Sequence, residues 1–168
     1  MPDLAQLKLE LREIHGAHEF TAYYDLRWRV LREPWMQARE SERDQRESDA
    51  IHMGCWAEGR LAGIGRLHLN SKFEAQIRFM AVESGFDRQG IGTQILLELE
   101  RHACLKGTLT VVLDARKSAM PFYEKHGYKS ISYAGLLFDQ IEHWKMSKSL
   151  YEAKKSNPGA PASPLTLL

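Results

Sequence analysis

Cysteine is scarce, with two in 168 residues, and Cys55 and Cys104 fit neither a CxxC pair nor a zinc spacing. That excludes a disulfide framework, and a chain this long does not need one, since one core buries about two-thirds of the unfolded surface. They read as reduced core thiols, as is usual in the cytosol. No stretch approaches the roughly 18 apolar residues of a membrane helix, and Met1 to Glu10 lack a basic region followed by an apolar run. The expectation is a cytoplasmic protein without a membrane partner. Charge of one sign is also lacking: Lys and Arg total 23 against 22 Asp and Glu, a net +1. No global field draws the chain to nucleic acid. The seven histidines are scattered, only His15 and His18 being close, so no metal set is expected. There is no GKS or GKT for a P-loop, no GxGxxG, and no acidic residue in the dinucleotide arrangement.

What is present is a mixed α/β pattern. Leu7, Leu9 and Leu11 alternate with Lys8, Glu10 and Arg12, the period of two of a half-buried strand. Apolar positions at helical spacing from about Glu19 to Glu33 predict a helix that Pro34 closes. In the polar stretch Gln37 to Asp49, the pairs Glu42 with Arg46 and Arg43 with Glu47 lie four apart, as in a solvated helix. Two roles are open for it, an exposed connector or a cap over a substrate site. Strands over about Ile51 to Ala57 and Leu61 to Leu69 flank Glu58-Gly59-Arg60, a hairpin signal. A fourth strand from about Glu74 to Val82 points Ala75, Ile77, Phe79 and Ala81 one way and Glu74, Gln76, Arg78 and Met80 the other.

Downstream, Ile91, Ile95, Leu99 and Ala103 line one face of a central helix that ends near Gly107. Leu109 to Leu113 suits a strand buried on both faces. A helix from about Ser118 to His126 and a closing hairpin, near Tyr128 to Tyr133 and Gln140 to Lys148, complete the order. Residues 1–150 are expected to form one domain. Residues 151–168, rich in Lys, Ser, Pro, Gly and Ala without periodicity, are expected to be a disordered tail.

The stretch richest in chemistry is Val82-Glu83-Ser84-Gly85-Phe86-Asp87-Arg88-Gln89-Gly90-Ile91-Gly92-Thr93, which joins a strand to an amphipathic helix. Gly90 and Gly92 let the backbone approach an anion, and the first N–H groups of the helix remain unpaired there. The helix terminus adds partial positive charge, so a phosphate or pyrophosphate is the natural ligand. Taken alone, the same glycines also suit an ordinary strand-to-helix turn.

Arg88-Gln89-Gly90-Ile91-Gly92-Thr93 resembles the pyrophosphate loop of GNAT acetyltransferases, Gln/Arg-x-x-Gly-x-Gly/Ala, except that Asp87 stands where Gln or Arg is usual and Arg88 follows one place later. Ala115 to Tyr128, containing Phe122-Tyr123-Glu124-Lys125-His126-Gly127-Tyr128, resembles the family's second signature, although Phe122 and Tyr123 alone would also suit core aromatics. Leu26-Arg27, Val30-Leu31, His52 and Ile141 to Met146 look like the small bacterial ElaA-like branch.

The resemblance implies an α/β GNAT fold, a mixed and mostly antiparallel sheet of about seven strands with about four helices. It implies acetyl-CoA as cofactor, with the pyrophosphate on Asp87, Arg88, Gln89, Gly90, Ile91, Gly92 and Thr93, and the pantetheine arm paired with Met80, Ala81 and Val82. Phe122 and Tyr123 would flank that arm, Tyr123 serving as general acid and the Val82 amide as oxyanion donor. The implied activity is acetyl transfer to a primary amine of a small molecule or peptide; a catalytically silent CoA-binding module is the alternative, favoured by Gln76 and Asp87. Gln76 stands where several relatives carry a glutamate base and cannot accept a proton at neutral pH. Glu74 and His143 are the candidates for that role, each with an ordinary structural reading beside it. Trp35 is a candidate for the acceptor pocket, and pairing with a second copy of the chain stays open.

Overall fold

The computed structural model describes residues 7–151. Seven strands form one sheet in the order β1-β2-β3-β4-β5-β7-β6: β1 (Leu9–Glu13), β2 (Ile51–Ala57), β3 (Arg60–Leu69), β4 (Glu74–Val82), β5 (Thr110–Arg116), β6 (Lys129–Leu137) and β7 (Ile141–Ser149). All neighbours pair antiparallel except β4 and β5. Among the described residues there are three α-helices, α1 (Gly16–Leu31), α2 (Ile91–Leu105) and α3 (Met120–Lys125), where the sequence suggests four. The tail expected over 151–168 lies, but for Tyr151, outside the described residues.

The helices pack on opposite faces of the sheet and bury two apolar clusters. One gathers Ile91, Ile95, Leu96, Leu99 and Ala103 of α2 against Met53, Leu67, Ala75, Ile77, Val111 and Leu113. The other gathers Tyr23, Leu26 and Leu31 of α1 against Ile14, Ile64 and Ala81. The close approach of α2 explains Gly63 and Gly65 on β3. A Cβ at Gly63 would stand 2.5 Å from Ile91 Cγ2, and one at Gly65 2.7 Å from Ile95 Cγ2, closer than packed carbons come.

Two sequence expectations are corrected. The missing fourth helix is the polar stretch Gln37 to Asp49, which forms turns and a short 3-10 segment, Glu47–Asp49. The expected pairs, Glu42 with Arg46 and Arg43 with Glu47, do not form; Arg46 pairs with Asp49 and Arg43 with Glu42. Glu47 accepts from Arg27 at 2.9 Å and Arg66 at 2.7 Å, and Asp44 from Arg66 at 2.6 Å, while both guanidiniums are fully buried. Two buried charges need compensating carboxylates, and that demand overrides the i,i+4 pattern.

The second correction concerns β4. Arg66 pairs with Arg78 and Ile64 with Ala81, so Phe79 and Met80 together oppose Gly65. This is a β-bulge, with Phe79 at φ 57°. The inserted residue turns the strand over. Ala75 and Ile77 face α2 as expected, but beyond the bulge Met80 and Val82 take that face while Phe79 and Ala81 pack with the α1 cluster.

Candidate active site

The parallel ladder between β4 and β5 is short: Glu74 opposes Thr110, Ala75 opposes Val111 and Gln76 opposes Val112. Beyond it β4 runs on to Val82 and β5 to Arg116 without pairing, so the edge of β4 that faces β5 is left with unused backbone donors and acceptors. A cavity of about 510 Å³ occupies the gap. Met80, Ala81, Val82 and Asp87 line it, together with Tyr123 and His143.

From Asp87 the chain enters α2 through two left-handed residues, Arg88 at φ 60° and Gly90 at φ 77°. Gly90 is the N-cap, with no side chain capping the terminus, so the first N–H groups of α2 point out of the helix without an intrahelical acceptor. Gly92 lies against the second signature, since a Cβ there would meet Phe122 Cζ at 3.5 Å. Phe122 in turn packs edge-on to Tyr123, ring centroids 5.0 Å apart. The two signature stretches, distant in sequence, meet here.

Tyr123 is 8% exposed. Burial pushes its hydroxyl up to about 12, against an opposing pull from Arg116, so it keeps its proton throughout the neutral range. His143 Nδ1 lies 2.8 Å from the Ile141 carbonyl oxygen. A carbonyl only accepts, so Nδ1 carries the hydrogen, and in the neutral ring the lone pair falls on Nε2.

Glu74 is not brought to this cavity. It begins β4 at the paired end of the ladder, where its carboxylate accepts from Asn70 Nδ2 at 2.8 Å; Gln76 accepts from the same amide at 3.1 Å. Neither is in the cavity wall. Trp35 stands at a neighbouring shallow pocket with Arg116 and Glu142. The sequence reading missed three arginines of the main wall, Arg32, Arg78 and Arg116. Two of them carried a signal in strand alternation: Arg78 falls on the polar face of β4 with Gln76, and Asp114 and Arg116 alternate with the buried Leu113 and Ala115, which places Arg116 on the face opposite α2.

A sheet split between two parallel strands, opening onto an uncapped helix terminus, is the geometry of a protein that holds an extended, phosphate-bearing cofactor along a strand edge. Residues 22–150 match the acetyltransferase (GNAT) domain family, and the chain belongs to it: an N-acetyltransferase that uses acetyl-CoA. It is 30% identical over 109 residues to the uncharacterized N-acetyltransferase YjcF of Bacillus subtilis, covering 65% of this chain and 77% of that one. The PaiA N-acetyltransferase of Thermoplasma acidophilum, solved in complex with coenzyme A, superposes at a TM-score of 0.69 with 19% identity, over 84% of this chain and 99% of that one. ElaA of Escherichia coli superposes at 0.64 with 14% identity, again over 84% and 99%. At such identities the two structures speak for the fold alone.

Proposed function

We propose that this N-acetyltransferase acetylates a primary amine of a small molecule or peptide, in the gap between β4 and β5, with Tyr123 as proton donor and His143 as the proton acceptor. The observation that carries this reading is that one cavity wall holds the unpaired edge of β4, a protonated tyrosine and an imidazole whose Nδ1 is engaged by a backbone carbonyl. The free edge at Met80, Ala81 and Val82 suits an amide-bearing arm, and the uncapped start of α2 suits a pyrophosphate. Acetyl-CoA, when bound, supplies the acyl group as an activated thioester. A Val82 backbone N–H at the gap would stabilise negative charge on a carbonyl oxygen. Tyr123 Oη holds a proton for the departing sulfur, and His143 Nε2 takes one from the incoming ammonium. A silent cofactor-binding module would draw on Gln76 and Asp87; Gln76 lies outside the cavity, and Asp87 lines it.

Among the described residues no helix is long and apolar enough to cross a membrane, which is consistent with a cytoplasmic site of action. Ile131, Tyr133 and Leu136 are exposed on the edge strand β6, an arrangement that supports pairing with a second copy.

The reading is tested by thiol release from acetyl-CoA across polyamines, amino acids, aminoglycosides and peptide amines; silence across the whole panel would refute it. Two binding predictions accompany it. Coenzyme A at a hundredfold excess over Kd should stabilise the protein by about 2.7 kcal/mol, read as a rise in melting midpoint, and an unmoved midpoint at millimolar CoA would remove the cofactor site. Gly92→Val should weaken CoA binding about tenfold or more, because a branched side chain beside Phe122 crowds the approach to the helix N–H groups. Asp87→Ala should do less. Calorimetric titration of both variants decides, and a larger loss in folded Asp87→Ala would move the phosphate contacts from backbone to side chain.

A further inference from the structure

The fold neutralises its most deeply buried guanidiniums with carboxylates, Arg27 with Glu47 and Arg66 with Asp44 and Glu47. It does not do so at Arg32 and Arg116. Arg32 is 8% exposed, yet it donates only to carbonyl oxygens, from Nε to Ser41 at 3.0 Å and from Nη1 to Leu31 at 3.1 Å. Arg116 Nη2 points at the same Leu31 oxygen, 3.5 Å away. Two cations thus converge on one carbonyl. No carboxylate lies within ion-pair distance of either among the described residues. Glu42 is held by Arg43 at 3.5 Å and Glu142 by Lys117 at 2.9 Å. Burial lowers both guanidiniums, and Arg78, Arg116 and Arg27 further oppose the charge on Arg32, while the more distant carboxylate of Glu42 favours it.

Both side chains line the cavity, and Arg116 sits directly across the β5–β7 ladder from His143. Directly opposed residues put their Cβ atoms roughly 5 Å apart on one face, so an anion held by Arg116 sits close to the His143 imidazole. A planar guanidinium presents two donors at once to a carboxylate or phosphoryl group, and such contacts gain strength where water is excluded.

We propose that the acceptor carries an anionic group, a carboxylate or a phosphoryl, held between Arg32 and Arg116, so that its amine lies beside His143. This rests on the acetyl-transfer reading above and adds the class of amine. It also assigns the two arginines to the acceptor rather than to the cofactor, whose phosphates have their own donors at the start of α2.

The experiment compares matched acceptors, an amino acid with its amide and an amino sugar phosphate with the free amino sugar, by thiol release from acetyl-CoA. The anionic member of at least one pair should show kcat/KM about tenfold or more above its neutral partner, and the pair that does so separates carboxylate from phosphoryl recognition. Arg116→Gln should lower kcat/KM for that anionic acceptor about 10- to 100-fold, through KM, and leave the neutral partner and the CoA Kd within about threefold. Arg116→Lys should recover part of the loss. Equal rates within both pairs would overturn the inference while leaving acetyl transfer standing. Equal damage to CoA binding in Arg116→Gln would overturn it too, by giving the arginine to the cofactor. If no acceptor turns over, the acetyl-transfer reading fails, and calorimetric titration of the anionic acceptors and inorganic phosphate into the CoA-loaded protein decides the site by itself. Binding that Arg116→Gln abolishes supports it, and no binding, or binding unaltered in the variant, overturns it.

Discussion

Tyr123→Phe should lower the rate of acetyl transfer about a hundredfold and leave CoA affinity within about threefold. The ring packs edge-on to Phe122 and Tyr128, at centroid distances of 5.0 and 5.7 Å, and phenylalanine keeps those contacts. What goes is a hydroxyl without a hydrogen-bond partner among the described residues, so no buried group is stranded by its removal. The lower end of the usual range for loss of a proton donor, about 10² to 10⁴, is expected because a thiolate, with a thiol pKa near 8.5, departs more readily than an alkoxide. Because burial pushes the tyrosine up to about 12, the wild-type rate should show no loss assignable to its ionisation at neutral or mildly alkaline pH. Single-turnover transfer to the best acceptor measures both. An unchanged rate in Tyr123→Phe would return this residue to packing alone.

The overall architecture was legible because it rests on local signals. Alternation in β1, the α2 stripe Ile91, Ile95, Leu99 and Ala103, and the Gly-rich entry to α2 each follow from neighbours a few residues apart. The failures share the opposite cause. Gln37 to Asp49 reads as a helix because its charges fall four apart, yet Asp44 and Glu47 answer to Arg66 and Arg27, which come from β3 and α1. The bulge at Phe79 is invisible for the same reason. The alternation of Glu74 to Phe79 gives way to an apolar run from Phe79 to Val82, which suits either face and does not mark an inserted residue; that residue is set by pairing with Gly65 on β3 and the positive φ of Phe79. At the site, Met80, Ala81, Val82 and Tyr123 were reached through the resemblance to known motifs, whereas Arg32 and Arg116 belong to no motif. Their meeting at Leu31 depends on the end of α1 lying over the end of β5.

The largest stability loss is expected from Glu47→Gln, about 3 to 5 kcal/mol, the usual cost of removing one partner from a buried ion pair. Glu47 is the acceptor shared by the fully buried Arg27 and Arg66, and it also takes a hydrogen bond from Tyr24 at 3.2 Å. Glutamine keeps the shape and removes the charge, leaving Asp44 alone to compensate Arg66. Against a typical total of about 5 to 15 kcal/mol, such a loss should be plain in urea unfolding at pH 7. The same cluster sets a pH dependence. His52 Nε2 lies 2.8 Å from the Glu47 carbonyl oxygen and Nδ1 3.1 Å from the Tyr23 hydroxyl, so the neutral ring donates at Nε2 and accepts at Nδ1. Burial, with Arg27 and Arg66 nearby, holds His52 below its ordinary value of 6.5, and burial and Arg66 do the same to His68. A base depressed in the folded state binds its proton first in the unfolded chain. Stability from these two residues is therefore complete above pH 6.5 and falls as the pH drops from there toward the folded values. Asp44 adds a second, more acidic window. Burial opposes its charge, but Arg66 and the Arg46 backbone hold it down to about 2 against an ordinary 3.8, so its contribution is intact above 3.8 and is lost toward pH 2. Urea unfolding from pH 8 to pH 5 should show the first decline, and His52→Gln, which cannot take up a proton, should flatten it. Stability independent of pH over that range would mean that this cluster does not keep its histidines neutral.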